Sequence, residues 1–271
     1  MTHPHNPQER EMSDESMVRN LAAQIEAIWP QERPLFERYT LPERARILDV
    51  GCGTGELEPR LLQVFPSAEV VGIDLDAAHL ERARARCAGL EKQVRFETGD
   101  ALALAFPDAS FDMVVSRHVI QALPGPEQAL REWARVTRRG GRLHVIAEDY
   151  GMLWCHPAPR DSDGFWQRLP NVYGAATGIE LHVGRKMFTL LTDLGLSGIS
   201  VDYVVVDTLR AGRETFAQIW EAWRDGYTAP LVQYTGLPRA EVEAWRAEMI
   251  ACVRDPRGYA LWQVPVWSAF R

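Results

Sequence analysis

Three glycines at alternate positions, Gly51, Gly53 and Gly55, interrupt the apolar stretch "RILDVGCGTG", with an acid, Asp49, just ahead of them. Glycine permits a tight turn and close approach of backbone to a ligand, and a helix beginning after such a loop offers free N–H groups. The spacing is G-x-G-x-G, which differs from the dinucleotide fingerprint G-x-G-x-x-G, and no lysine completes a phosphate-cradling loop. The acids narrow the ligand. Asp74 closes the next apolar run about twenty residues on, where a carboxylate accepts from both ribose hydroxyls. Asp49 would repel a pyrophosphate and suits a cation. Asp100, in "ETGDAL", is placed to accept from an adenine amino group. An adenosine with a cationic substituent and no phosphate fits the set, and that points to S-adenosylmethionine.

A second group of residues falls further along. His118, in "SRHVIQAL", follows an apolar run, and histidine is a residue type suited to a general base. Arg117 stands beside it. Glu148, Asp149 and Tyr150 in "AEDYG" end another run, and His156 in "WCHPAP" lies in a Pro- and aromatic-rich segment. Substrate contact is expected from among His118, Asp149, Tyr150 and His156. Arg185 and Lys186 offer a cationic pair that an anionic group could use.

These residues need elements to hold them. "RILDV", "AEVVGID", "QVRFETGD", "FDMVVS" and "RLHVIAED" read as strands, separated by helical patterns such as "DAAHLERARARCAGL" and "GPEQALREWARVTRRGG". Strands alternating with helices imply a parallel sheet covered on both faces, with the loops at the strands' carboxyl ends on one rim. Residues 1–15 read as a flexible arm and 16–271 as one domain. Amino-terminal helices are expected over 16–42, with Pro30 ending the first and Pro34 opening a second. The segment from Tyr150 to Pro170 reads as a long structured loop. A helical insertion is expected at about 210–256, between the last two strands. Its Phe216, Ile219, Trp220 and Trp223 recur at helical spacing, and with Trp245 and the helix bearing Trp29 they could roof a pocket.

Composition sets bounds. The chain has 271 residues, 46% apolar and 25% charged, with a net charge of −7. That balance argues against general affinity for nucleic acid or an anionic membrane. The polar start "MTHPHNPQEREMSDES" lacks the apolar core of a signal peptide, so the expected compartment is the cytoplasm. Four cysteines lie far apart with no C-x-x-C pair, so neither zinc nor a disulfide framework is expected.

The ordered set "ILDVGCGTG", "VVGIDLD", "FETGDALALAFPDASFDMVVS" and "LREWARVTRRGGRLHVI" resembles the successive motifs of the class I S-adenosylmethionine-dependent methyltransferases. The resemblance runs from about Arg46 to Glu148. It implies a Rossmann-like, doubly wound α/β fold. The expected sheet has seven strands, mostly parallel with one antiparallel strand at the carboxyl end, plus a helical lid. It implies that Gly51, Gly53 and Gly55 line the methionine end of the cofactor, that Asp74 binds the ribose, and that Asp100 and Ala101 contact the adenine. Ser116 would face the methionine moiety, and Asp49, Cys52 and Leu75 complete the expected cofactor contacts. The implied reaction is in-line methyl transfer to a small-molecule acceptor, with no metal required. Two other readings share parts of the pattern: a methyltransferase acting on tRNA or protein, and an NAD-dependent oxidoreductase. The acidic balance weighs against the first, and the glycine spacing and Asp100 against the second.

Overall fold

The computed structural model describes residues 15–158 and 162–271. The expected flexible arm, apart from its last residue, lies outside them. The strands are β1 (Arg46–Val50), β2 (Glu69–Asp74), β3 (Val94–Thr98), β4 (Phe111–Arg117), β5 (Thr137–Ile146), β6 (Leu153–His156), β7 (Ser197–Asp207) and β8 (Tyr259–Phe270). The helices are α1 (Glu15–Glu37), α2 (Glu58–Val64), α3 (Ala77–Arg86), α4 (Pro126–Val136), α5 (Ser162–Thr177), α6 (Met187–Asp193), α7 (Arg213–Thr235) and α8 (Arg239–Arg254).

β1 to β5 form a parallel sheet in the order β3-β2-β1-β4-β5. Their near-continuous apolar runs suit burial on both faces. β8 lies antiparallel to β5 and β7. The sheet has eight strands among the described residues rather than seven, because β6 pairs antiparallel with Tyr259 to Trp262 of β8. β7 pairs with that same part of β8, so β6 occupies the other side, in line with β5. The order reverses between β1 and β4. A crevice opens at such a point beyond the carboxyl ends of the strands, and the glycine loop and His118 flank it.

Two expectations are corrected here. Residues Tyr150 to Pro170 are not one loop: a short 3-10 turn (Tyr150–Met152) leads into β6, and α5 follows. And α1 is a single helix that runs through both Pro30 and Pro34. A proline inside a helix costs about 3 kcal/mol. Tertiary packing offsets it, because Ile28 and Phe36 are fully buried on either side. The Gln31 side chain also exchanges two hydrogen bonds with the Val205 backbone, at 2.8 and 3.1 Å.

α1 packs across α7, with Arg19 paired to Asp225 at 2.9 Å. These two helices line the crevice. All four cysteines are buried, and none of them forms a disulfide. Among the described residues no helix is long and apolar enough to cross a membrane.

Candidate functional site

β1 delivers the chain into the loop with Gly51 at φ +75° and Gly53 at φ +53°, a backbone region that side chains other than glycine rarely adopt. The loop is tied to the end of β2 by Asp74. The Gly53 N–H donates to Asp74 Oδ2 at 2.9 Å, and the Asp76 N–H donates to Oδ1 at 2.9 Å. Each carboxylate oxygen keeps a further lone pair for a ligand hydroxyl. The missing side chains also make room for protein. A Cβ on Gly51 would lie 2.3 Å from Val119 Cγ2, and one on Gly53 would lie 2.8 Å from Leu21 Cδ1 of α1.

The crevice is a cavity bounded below by Gly51, Gly53 and Asp74, and above by Met17, Asn20, Leu21 and Gln24 of α1. His79 forms one wall. Arg117, His118, Gln121, Glu148 and Tyr150 form another, and Trp223 and Tyr227 of α7 close it. Several of these residues carry buried polar atoms with no hydrogen-bond partner among the described residues: Asn20 Oδ1, both His79 ring nitrogens, His118 Nε2, Gln121 Oε1 and Glu148 Oε2. Buried polar groups are nearly always hydrogen-bonded. Such a concentration of unpaired atoms around one cavity marks a site built for a polar ligand.

His118 sits one residue past β4 with φ +58°. Histidine tolerates that region better than most residues, yet the conformation still costs energy, and such strain clusters at working sites. The turn sets the imidazole against Glu148, with Nδ1 2.6 Å from Oε1. With Nδ1–H donating to the carboxylate, Nε2 is left as an acceptor on a residue that lines the cavity, the arrangement of an oriented general base. Tyr150 plays a different part. Burial, then the adjacent Glu148 charge, push its phenol well above its ordinary value. It stays protonated and can donate, but it cannot serve as a base near neutral pH.

A buried ion cluster supports this floor. Arg117 bonds Glu32 of α1 through Nε at 2.9 Å, and Glu32 also accepts from His144 Nε2 at 3.1 Å. Burial raises the Glu32 carboxyl, but Arg117 and His144 together outweigh it and hold it at about 2. Asp49 lies beneath the glycine loop. Burial pushes its carboxyl up to about 7, Arg117 opposes this, and Glu32, Asp74 and Glu56 add to it.

Of the residues expected from the sequence, the structure brings Gly51, Gly53, Asp74, His118 and Tyr150 together at the cavity. Asp49, Cys52 and Gly55 belong to the layer around and beneath the loop. Leu75 follows Asp74 and is 50% exposed. Asp100 accepts from the Leu102 N–H at 2.8 Å, and the Ala101 carbonyl accepts from Trp133 Nε1, so both shape the turn after β3. Ser116 donates to the Val50 carbonyl at 3.0 Å, which joins β4 to β1. Two expected substrate residues stand away from the cavity. Asp149 is fully buried and held by Arg185 through two contacts of 2.6 Å. His156 is exposed at the end of β6. The expected cationic pair is engaged elsewhere, Arg185 with Asp149 and Lys186 with Glu180. Trp29 and Trp245 do not reach the cavity lining, whereas Trp223 does.

Sequence reasoning missed His79 and Asn20. His79 follows the Asp76 cap, whose side chain accepts from the Ala78 and His79 N–H groups. That position in the first turn of α3 is on the same rim as Asp74. Asn20 carries no such signal, since it reaches the cavity only because α1 folds over the loop.

Residues 48–145 match the family described as Methyltransferase domain. Demethylmenaquinone methyltransferase of Deinococcus radiodurans is 41% identical over 101 residues, 37% of this chain and 42% of that protein. The 27-O-demethylrifamycin SV methyltransferase of Amycolatopsis mediterranei is 42% identical over 129 residues, 42% of this chain and 47% of that protein. The matched stretch thus spans less than half the length of these relatives. Among solved structures, Haemonchus contortus phosphoethanolamine N-methyltransferase 2 with S-adenosyl-L-methionine superposes with a TM-score of 0.56. It is 18% identical and covers 90% of this chain and 52% of its own, a likeness of fold.

Proposed function

We propose that the chain transfers a methyl group from S-adenosylmethionine to a small organic acceptor that loses a proton as it reacts, a reading supported by the match of residues 48–145 to the family described as Methyltransferase domain. One observation carries the second half of this reading: His118, backed by Glu148 and with its Nε2 unpartnered among the described residues, lines the same cavity as the glycine loop and Asp74. The methylated products implied by the relatives' names are small organic molecules, one of them methylated on oxygen by its printed name.

The residues present fit the cofactor. Asp74 has lone pairs free for a ribose, His79 adds polar atoms on the same side, and the glycine loop presents backbone rather than side chains. Asp49 places a carboxylate beneath the cationic end. When bound, S-adenosylmethionine supplies an electrophilic methyl group on a positively charged sulfur. The chain supplies alignment and a dry enclosure, through α1 and α7, and this positional contribution is the larger one. Glu148 holds the His118 imidazole so that Nε2 accepts the acceptor's proton.

The test is incubation with labelled S-adenosylmethionine and a panel of phenols, enols and their methyl ethers. Methylation of hydroxyl compounds alone supports the reading. Uptake of NADH with no response to S-adenosylhomocysteine would refute it.

Two further outcomes check the cofactor side. Asp74→Ala should weaken S-adenosylhomocysteine binding by about 1–3 kcal/mol through lost ribose hydrogen bonds, as read by calorimetry. Affinity equal to that of the natural chain would remove the role. Asp49, protonated below about pH 7 in the free protein, must ionise to meet a cation. Affinity for S-adenosylmethionine should therefore rise about tenfold from pH 6 to pH 8, with proton release at pH 6. Calorimetry in buffers of different ionisation enthalpy measures that release, and a flat profile argues against Asp49.

A further inference from the structure

Beyond Tyr150 a second space adjoins the cavity. Tyr150, Leu181, Trp223 and Tyr227 line the cavity on one side and also line this second, largely apolar chamber, whose other walls include Trp166 and Tyr173 of α5. Tyr150 stacks on Trp166, with centroids 5.7 Å apart and planes 19° apart. Into this aromatic chamber α8 inserts Arg246. The side chain is 4% exposed, and its Nε and Nη1 have no hydrogen-bond acceptor among the described residues. The guanidinium lies over the Trp166 ring, 5.4 Å from the centroid. Among the described residues no carboxylate pairs with it. Arg117, Arg135 and Arg185, by contrast, each meet an acid.

A guanidinium stays charged in any protein environment. Removed from water without a counter-charge, it makes the folded state less stable than an apolar side chain of similar volume would. A partial return comes from the Trp166 face. The remaining N–H groups point to a planar acceptor, since two parallel N–H bonds match a carboxylate. One cation in an apolar chamber balances a monoanion better than a doubly charged group.

We propose that Arg246 anchors a carboxylate on the methyl acceptor, whose aromatic or apolar body lies among Tyr150, Trp166 and Trp223 while its nucleophilic end reaches His118. This rests on the methyltransferase reading of the adjoining cavity. It makes Arg246 the residue that selects the acceptor, and it makes the acceptor a carboxylated aromatic compound with a methylatable hydroxyl.

The probes are benzoate, 3-phenylpropanoate and 3-(4-hydroxyphenyl)propanoate, each beside its neutral amide. Binding is measured by tryptophan fluorescence on the full chain saturated with S-adenosylhomocysteine. At least one acid should bind tenfold or more tighter than its amide, and Arg246→Gln should abolish that preference. If no acid outbinds its amide on the natural chain, or if the preference survives in Arg246→Gln, the assignment is overturned. The comparison on the natural chain needs no folded variant. S-adenosylhomocysteine calorimetry on the same protein keeps the two failures apart. Absent cofactor binding sinks the methyltransferase reading, whereas normal cofactor binding without an acid preference sinks only the Arg246 subsite.

Discussion

His118→Asn should lower turnover about 10²–10⁴-fold, the usual worth of a positioned general base, while S-adenosylhomocysteine affinity changes less than twofold. Asparagine is the informative replacement because it accepts the positive φ of this position better than alanine does. A fall in rate is then not explained by a refolded turn. The acceptor for the assay is the best hydroxyl compound of the phenol and enol panel. Glu148→Gln should also slow turnover, for a different reason. Glu148 Oε1 sets the tautomer by accepting from Nδ1. A glutamine amide can instead donate to Nδ1, which forces the proton onto Nε2 and removes the acceptor from the cavity. The two effects should not add, since both variants remove the same function. Turnover in His118→Asn within threefold of the natural chain would return His118 to scaffolding.

Much of this arrangement is legible in the sequence alone, and the reasons are local. The core strands are continuous apolar runs, and positive-φ glycines mark the turn after β1. Asp74 and His118 follow directly because each lies at the end of a strand in a parallel sheet. Glu148 and Asp149 show where local reading stops. Both follow β5, but neighbouring side chains along extended backbone leave on opposite sides. Glu148 therefore meets His118, while Asp149 turns to Arg185, which lies 36 positions away. No spacing rule selects between them. Asp100 and Ser116 stand at the expected strand ends, yet in this structure their side chains serve the turn after β3 and the β4–β1 join.

The lid is legible only in outline. Pro30 and Pro34 are local stop signals, and what overrides them is bonding to β7 and to the Arg117–His144 pair, all distant in sequence. β6 is four residues long, and its pairing depends on β8, about a hundred residues later. Arg246 does leave a trace. Val242, Trp245, Met249, Ile250 and Val253 define the buried stripe of α8, and position 246 falls within it. An arginine on an apolar face is the kind of conflict between local pattern and burial that marks functional positions.

Glu32 carries the other large expected effect, and it joins α1 to the floor of the cavity. Its Oε1 accepts from Arg117 Nε and His144 Nε2, and its Oε2 lies 2.9 Å from Arg117 Nη2. His144 in turn has Nδ1 2.9 Å from the Tyr39 hydroxyl. Glu32→Ala leaves the Arg117 guanidinium buried without its carboxylate, a change that costs about 3–5 kcal/mol. For a chain of this size the melting temperature should fall about 10 °C. The effect has a definite pH dependence. The Glu32 carboxyl is held at about 2 in the folded chain, against an ordinary value of 4.5. Its stabilisation is therefore fully present above about pH 5 and is lost as pH falls toward 2. The gap in melting temperature between the natural chain and Glu32→Ala should be widest near neutrality and shrink below pH 4.5. Because α1 bears both Glu32 and the cavity roof of Asn20 and Leu21, cofactor affinity should fall with stability, in contrast to His118→Asn. A melting temperature within 2 °C of the natural chain at pH 7 would show that Arg117 finds other compensation, and that α1 is held by its apolar face alone.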